Sequence, residues 1–121
     1  MKNQDYLKTV RSMDALAREL LPFQVTDPAR PDFGGWFSDD YGFASPCHIG
    51  NARYSFILAS CVFCPDSAFF CNGDIYSRLM NAVAFQKRTL RKSGLLDIPF
   101  TNFDSPPDTA FALSMLSAAV T

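Results

Sequence analysis

The chain is poor in the features that would send it to a membrane or to nucleic acid. Net charge is only −1, so the overall field favours neither polyanions nor an anionic bilayer. No apolar h-region opens the chain: MKNQDYLKTVRSMDALAREL carries charges throughout, unlike a signal peptide. The longest nearly apolar run, TAFALSMLSAAV, is about 12 residues, where a spanning helix needs roughly 20. No nucleic acid partner, no membrane and a cytoplasmic location are the expectations.

Cysteine is present without a metal-binding pattern. Cys61 and Cys64 form the only CxxC, CVFC, and Cys47, Cys71 and His48 are the further ligands a zinc site would need. The pair lies inside the apolar stretch YSFILASCVFCP, where free cysteine behaves as a small buried hydrophobe. Buried thiols are expected, with no metal and no cofactor. No βαβ pattern surrounds the pair to support a thioredoxin-like reading.

Apolar side chains are plentiful. A hydrophobic fraction of 48% with 12 phenylalanines indicates a globular chain. At 121 residues it fits one domain and can bury roughly two thirds of its unfolded surface.

Spacing predicts an all-α fold of about four main helices and no strand. Over 5–21, Tyr6, Val10, Met13, Ala17 and Leu20 share one face and Asp14 lies with the polar residues, before Pro22 stops the helix. A long loop, QVTDPARPDFGGWFSDDYGFASPCHIG, follows; loops of that length are usually functional. The second helix, about 51–64, is apolar nearly all round and is closed by Pro65. The third covers 74–92, capped by Asn72 or Asp74. Its inner stripe is Tyr76, Leu79, Met80, Val83 and Leu90, and Arg91, Lys92 and Gly94 end it. Lys87, Arg88, Arg91 and Lys92 read as a solvated helix end. The fourth helix opens with Ser105 as cap, Pro106 in the first turn and Asp108 completing a capping box.

Short connections make neighbouring helices antiparallel, so the second and fourth begin at one end. There SPCHIGN and TNFDSPPD meet, with DFGGWFSDD able to join them. That rim gathers Asp32, Trp36, Asp39, Asp40, His48, Arg53, Asn102, Asp104 and Asp108. Carboxylates and amides suit sugar hydroxyls, and an indole suits a sugar's C–H face. Two carboxylates flanking a bond could serve as acid and base in glycoside hydrolysis. The simpler readings are that His48 is a cap or packing residue and Trp36 part of the core. The last residues, FALSMLSAAVT, lack a terminating glycine, proline or charged turn. With the second helix, they predict apolar surface for further partners.

DFGGW, the apolar helix after it, PDS, SGLLD and TNFDSPPDTAF together resemble the N-terminal region of bacterial heparinase II/III-like proteins, over roughly residues 32–120. The resemblance implies an incomplete (α/α) toroid of antiparallel helical hairpins, with a cleft formed by loops at one end. It implies polysaccharide lyase or glycoside hydrolase chemistry using tyrosine and histidine. No motif maps that tyrosine onto Tyr41, Tyr54 or Tyr76, or that histidine onto His48. Asn102 and Asp104 carry over as cleft-lining residues. Residues 1–121 are then a single all-helical domain or the N-terminal fragment of a larger toroid. On this reading the chain contributes contacts to an oligo- or polysaccharide and holds no complete active site. The alternative is a free-standing helical module that homo-oligomerises through its second and fourth helices.

Overall fold

The computed structural model describes residues 3–38, 42–44, 51–90, 93, 96–97, 104–105, 110, 113–114 and 117. The chain is mostly helical, and three α-helices are delineated among these residues. Helix α1 (Gln4–Leu20) starts where the Asn3 side chain accepts from the Asp5 N–H at 2.6 Å, which satisfies one of the orphan donors of a helix start. Val10 and Ala17 are buried as their spacing predicts, and Met13 and Leu20 pack against the core. Asp14 is buried too, contrary to its expected polar position. Its carboxylate accepts from Ser67 Oγ and, at 2.9 Å, from the Ala68 N–H. A buried carboxylate needs such donors, and here they tie α1 to the turn after the next helix.

Helix α2 (Arg53–Phe63) follows a π-helical turn at Asn51 and Ala52. It is not enclosed on all sides, as its all-round apolar sequence predicts. Ser55, Leu58, Ala59, Cys61 and Val62 face inward, whereas Phe56 and Phe63 are 43% and 58% exposed.

Helix α3 (Gly73–Arg88) is capped by Asn72, whose side chain accepts from the N–H groups of Asp74 and Ile75 at 3.0 and 3.1 Å. It ends at Arg88 with Thr89 as its C-cap, short of residue 92. Its buried face is Ile75, Leu79, Ala82, Phe85 and Gln86. The expected stripe is thus rotated: Tyr76 and Met80 are exposed, and of that stripe Leu79 alone is fully buried among the described residues. Leu58 and Leu79, at 0% and 1% exposure, each contribute about 1.5–3 kcal/mol of burial.

Contacts at the helix ends fix the directions. Tyr6, early in α1, donates to Asp66 Oδ2 at 2.9 Å, just beyond the end of α2. Trp36 links Leu20, the last residue of α1, to Tyr54 at the start of α2. The two helices are therefore antiparallel. Asn51 Nδ2 donates to Ala82 O at 3.0 Å and Gln86 Oε1 at 2.9 Å, late in α3. Helix α3 therefore runs against α2.

Two short antiparallel ladders depart from the expectation of no strand. Strands β1 (Phe37–Ser38) and β2 (Phe43–Ala44) pair Phe37 with Ala44 and Ser38 with Phe43. Strands β3 (Leu96–Asp97) and β4 (Asp104–Ser105) pair Leu96 with Ser105 and Asp97 with Asp104. Two residues per strand leave no alternation to read. Ser105, expected as a helix cap, lies in β4. The expected fourth helix falls mostly outside the described residues, although residues 110, 113, 114 and 117 are helical. No helix among the described residues is long and apolar enough to cross a membrane.

Candidate functional site

The end of the bundle where α2 begins receives the loop containing DFGGW, as expected. What that loop does there is chiefly structural. Gly34 has φ +92, and a Cβ built on it would stand 2.2 Å from the Asn81 carbonyl oxygen. A Cβ on Gly35 would meet Ala44 Cβ at 2.6 Å and the Phe85 ring at 2.7 Å. Glycine lets the loop lie directly on α3, and Gly34 supplies the left-handed turn that other residues resist. The Gly34 N–H donates to Val25 O at 2.9 Å, and the Val25 N–H to Gly35 O at 2.8 Å, so the loop folds back on itself.

Trp36 is 4% exposed. Its indole N–H donates to Leu20 O at 3.0 Å, and its ring meets Tyr54 edge-on at 5.4 Å between centroids. No face of the ring is left open for a sugar. Asp32, 8% exposed, accepts from Arg30 Nε at 2.8 Å and Arg30 Nη2 at 2.9 Å, and from the Ala44 N–H at 2.9 Å. The Arg30 guanidinium first, and then the Ala44 N–H, hold the Asp32 carboxyl below its usual range against the opposing effect of burial. Both residues anchor the loop.

Arg53 is exposed on the first turn of α2 at the same end. A guanidinium there can pair with a carboxylate or sulfate. Asp104 stands in β4 opposite Asp97, in the ladder that follows the end of α3. His48, Asn102 and Asp108, with Asp39 and Asp40, lie outside the described residues. Of the expected binding set, Arg53 is thus the one whose side chain is described and open.

Three buried amides were not legible as site residues. Gln24 Nε2 donates to Gly34 O and Arg78 O, both at 2.9 Å. Asn51 bridges α2 to α3 through its amide nitrogen and receives Ser55 Oγ on its carbonyl at 2.7 Å. Gln86 completes that link. Among the described residues, Gln24 Oε1 and Asn51 Oδ1 are buried without a hydrogen-bond partner. A polar residue after Pro22, or at a helix start, looks in sequence like any turn residue. Two grooves of about 290 and 280 Å³ flank residues 24–26. They fall at or below the small end of ligand pockets, roughly 300–1,000 Å³, and nothing singles them out as the site.

Among the described residues no group of three possible metal ligands occurs; Cys47 and His48 lie outside them. Cys61 is fully buried, and burial, then the nearby Asp14 carboxylate, pushes its thiol up to about 11. Such a thiol is unreactive at neutral pH. Cys64 Sγ lies 3.6 Å from the Tyr6 hydroxyl. That contact, and the bond to Asp66, raises the phenol well above its usual range. Cys71 is exposed, with φ 56. Lys87 and Arg88 are exposed at the end of α3, as a solvated helix end should be; Arg88 also donates to Phe33 O at 2.7 Å.

Compared with models of protein families, with curated proteins and with solved structures, the chain matches none.

Proposed function

We propose that the chain is the N-terminal portion of a glycan-processing helical toroid of the polysaccharide lyase or hydrolase type. It contributes carbohydrate contacts and not a complete active site. The observation carrying this reading is the pairing of β3 with β4. It joins SGLLD to TNFDS, the two most specific parts of the heparinase II/III-like resemblance, in one ladder after the α2–α3 hairpin. The end of α3 is also the end where α2 begins, so Arg53 and the DFGGW loop share a pole, and the ladder follows that end of α3 in the chain. Loops gathered at one pole of antiparallel hairpins are what a toroid cleft requires.

Buried Trp36 and Asp32 shape this pole, and Arg53 and Asp104 are its candidates for touching sugar. An arginine there suits an acidic glycan, whose carboxylates it can bind in bidentate fashion. The test is calorimetric titration of uronate-containing and neutral oligosaccharides. Arg53→Ala and Asp104→Asn are expected to weaken binding of the acidic sugar about tenfold or more, the effect of losing one charge-assisted hydrogen bond. Melting temperature should stay unchanged. Equal binding by wild type and both variants, or none by wild type, defeats the reading.

One observation favours the second reading, a helical interaction module. Phe56 and Phe63 lie seven residues apart on the same flank of α2, both well exposed. That flank runs along the side of the bundle, so using it leaves the pole open. The two readings are compatible.

A further inference from the structure

We propose that Asn72–Gly73 is a site of spontaneous covalent modification, in which the asparagine becomes aspartate or isoaspartate and the first turn of α3 gates the reaction. Asn72 is the one asparagine of the chain that glycine follows, and both residues are exposed. In such a pair the Gly73 nitrogen, its proton lost to hydroxide, attacks the side-chain carbonyl carbon of Asn72. The new bond joins Gly73 N to Asn72 Cγ, the Cγ–Nδ2 bond breaks, and ammonia leaves with a proton from water. The product is a five-membered succinimide. Water then opens this ring. Attack at Cγ leaves aspartate, and attack at the main-chain carbonyl leaves isoaspartate, with the backbone routed through Cβ and Cγ. One water is gained and one ammonia lost, and no oxidant takes part. Glycine favours the attack because it has no side chain to crowd its nitrogen and the backbone turns freely there. A Cβ on Gly73 would meet nothing within 4 Å among the described residues, so the ring has room to close.

The folded chain holds the pair out of the reactive geometry. The ring closes when Asn72 Cβ eclipses the Gly73 nitrogen about the Cα–C bond, which for an L residue requires a strongly negative ψ. Asn72 has ψ 119. Its Oδ1 accepts from the N–H groups of Asp74 and Ile75 at 3.0 and 3.1 Å, and its main-chain carbonyl accepts from the Tyr76 N–H at 3.0 Å. Turning ψ breaks all three bonds. Ile75, fully buried, ties the same turn to the core. The reaction therefore runs from the minor population in which this turn is frayed. Loss of a cap and a backbone bond keeps that population at roughly a tenth or less. The two products differ in what they do to α3. Aspartate still offers an oxygen to both N–H groups and adds charge at the positive end of the helix. Isoaspartate carries its carboxylate on the main chain, and the cap is lost.

The Cys71 N–H donates to Val62 O at 3.0 Å, which places the pair at the end of α2, away from Arg53. The reaction uses neither Arg53 nor Phe56, so its outcome bears on neither reading above. The full chain is incubated at mildly alkaline pH and body temperature, in buffer and in urea, and peptide mass spectrometry follows the conversion at each asparagine. In urea Asn72 should convert faster than Asn3, Asn51, Asn81 and Asn102, and Gly73→Ala should slow it several-fold. In buffer the rate at Asn72 should be about a tenth of the urea rate or below. Asp74→Lys, at an exposed position, sets a positive charge at the positive end of α3. It should raise the rate in buffer several-fold and leave the urea rate unchanged. Amide hydrogen exchange at Asp74 and Ile75 should quicken in step, while exchange at Leu79 stays as in wild type, which marks a local opening. Conversion at Asn72 no faster than at the other asparagines in urea overturns the site. Equal rates in buffer and urea, or no gain in buffer from Asp74→Lys, overturn the gate.

Discussion

The indole N–H of Trp36 donates to the carbonyl of Leu20 at 3.0 Å, the last residue of α1. One side chain of the DFGGW loop thereby satisfies a helix-end acceptor that α1 cannot satisfy itself. The same ring fills the space beside Tyr54, so the loop closes the core formed by α1 and α2.

Trp36 should therefore behave as a core residue. Trp36→Ala is expected to cost about 3–5 kcal/mol, lowering the melting temperature by more than about 10 °C in a domain of this size. Trp36→Phe keeps much of the apolar contact but loses the indole hydrogen bond to the Leu20 carbonyl, an expected loss of about 0.5–1.5 kcal/mol. Arg53→Ala, at an exposed position, should stay within about 0.5 kcal/mol of wild type. Thermal and urea denaturation of the three variants checks the order. A Trp36→Ala protein with normal stability and no sugar binding would return the indole to the ligand site.

Gly34 and Gly42 both have positive φ, +92 and +71, but differ in surroundings. A methyl group on Gly34 collides with the Asn81 backbone, whereas one on Gly42 meets nothing within 4 Å among the described residues. Gly42→Ala should cost only the left-handed backbone, about 1–2 kcal/mol. Gly34→Ala adds the displacement of the loop from α3 and should cost at least twice as much, or prevent folding. Urea midpoints of the pair measure the difference. Equal midpoints would mean that the loop does not rest on α3.

Helix positions were legible because apolar spacing marks α1 and α3, and for the third helix Asn72 and Asp74 were both candidate caps, of which Asn72 serves. Facing was less legible. Tyr76 and Met80 are as apolar as Ile75 and Ala82, and spacing alone does not say which neighbouring stripe turns inward; packing against α2 decides it. Asp14 and Gln24 look like surface residues until Ser67, Ala68, Gly34 and Arg78 arrive from distant parts of the chain to bond them. The candidate site was read for the chemistry of its side chains, and Asp32 and Trp36 do have that chemistry. It is spent on Arg30, Ala44 and Leu20. Glycine spacing was the available hint: two adjacent glycines before an aromatic residue signal close backbone approach, and a close-packed loop buries the aromatic it carries.

The Asp32 anchor gives stability a pH dependence whose sign follows from the structure. Its carboxyl is held below the usual range, first by Arg30, so the folded state binds fewer protons than the unfolded chain near the ordinary aspartate value, about pH 4. The stabilisation is fully present above that pH and is lost as pH falls through the lower folded value. Asp32→Asn removes the charged pair but leaves an oxygen able to accept from Ala44. Wild type should therefore exceed this variant in urea midpoint by a constant margin from pH 6 to 8, and the margin should shrink below about pH 4. Arg30→Met should produce the same narrowing, because it removes the main cause of the lowered value. A margin unchanged down to pH 2.5 would mean that the carboxylate is not ion-paired in solution. The loop would then be held by its glycines and Trp36 alone.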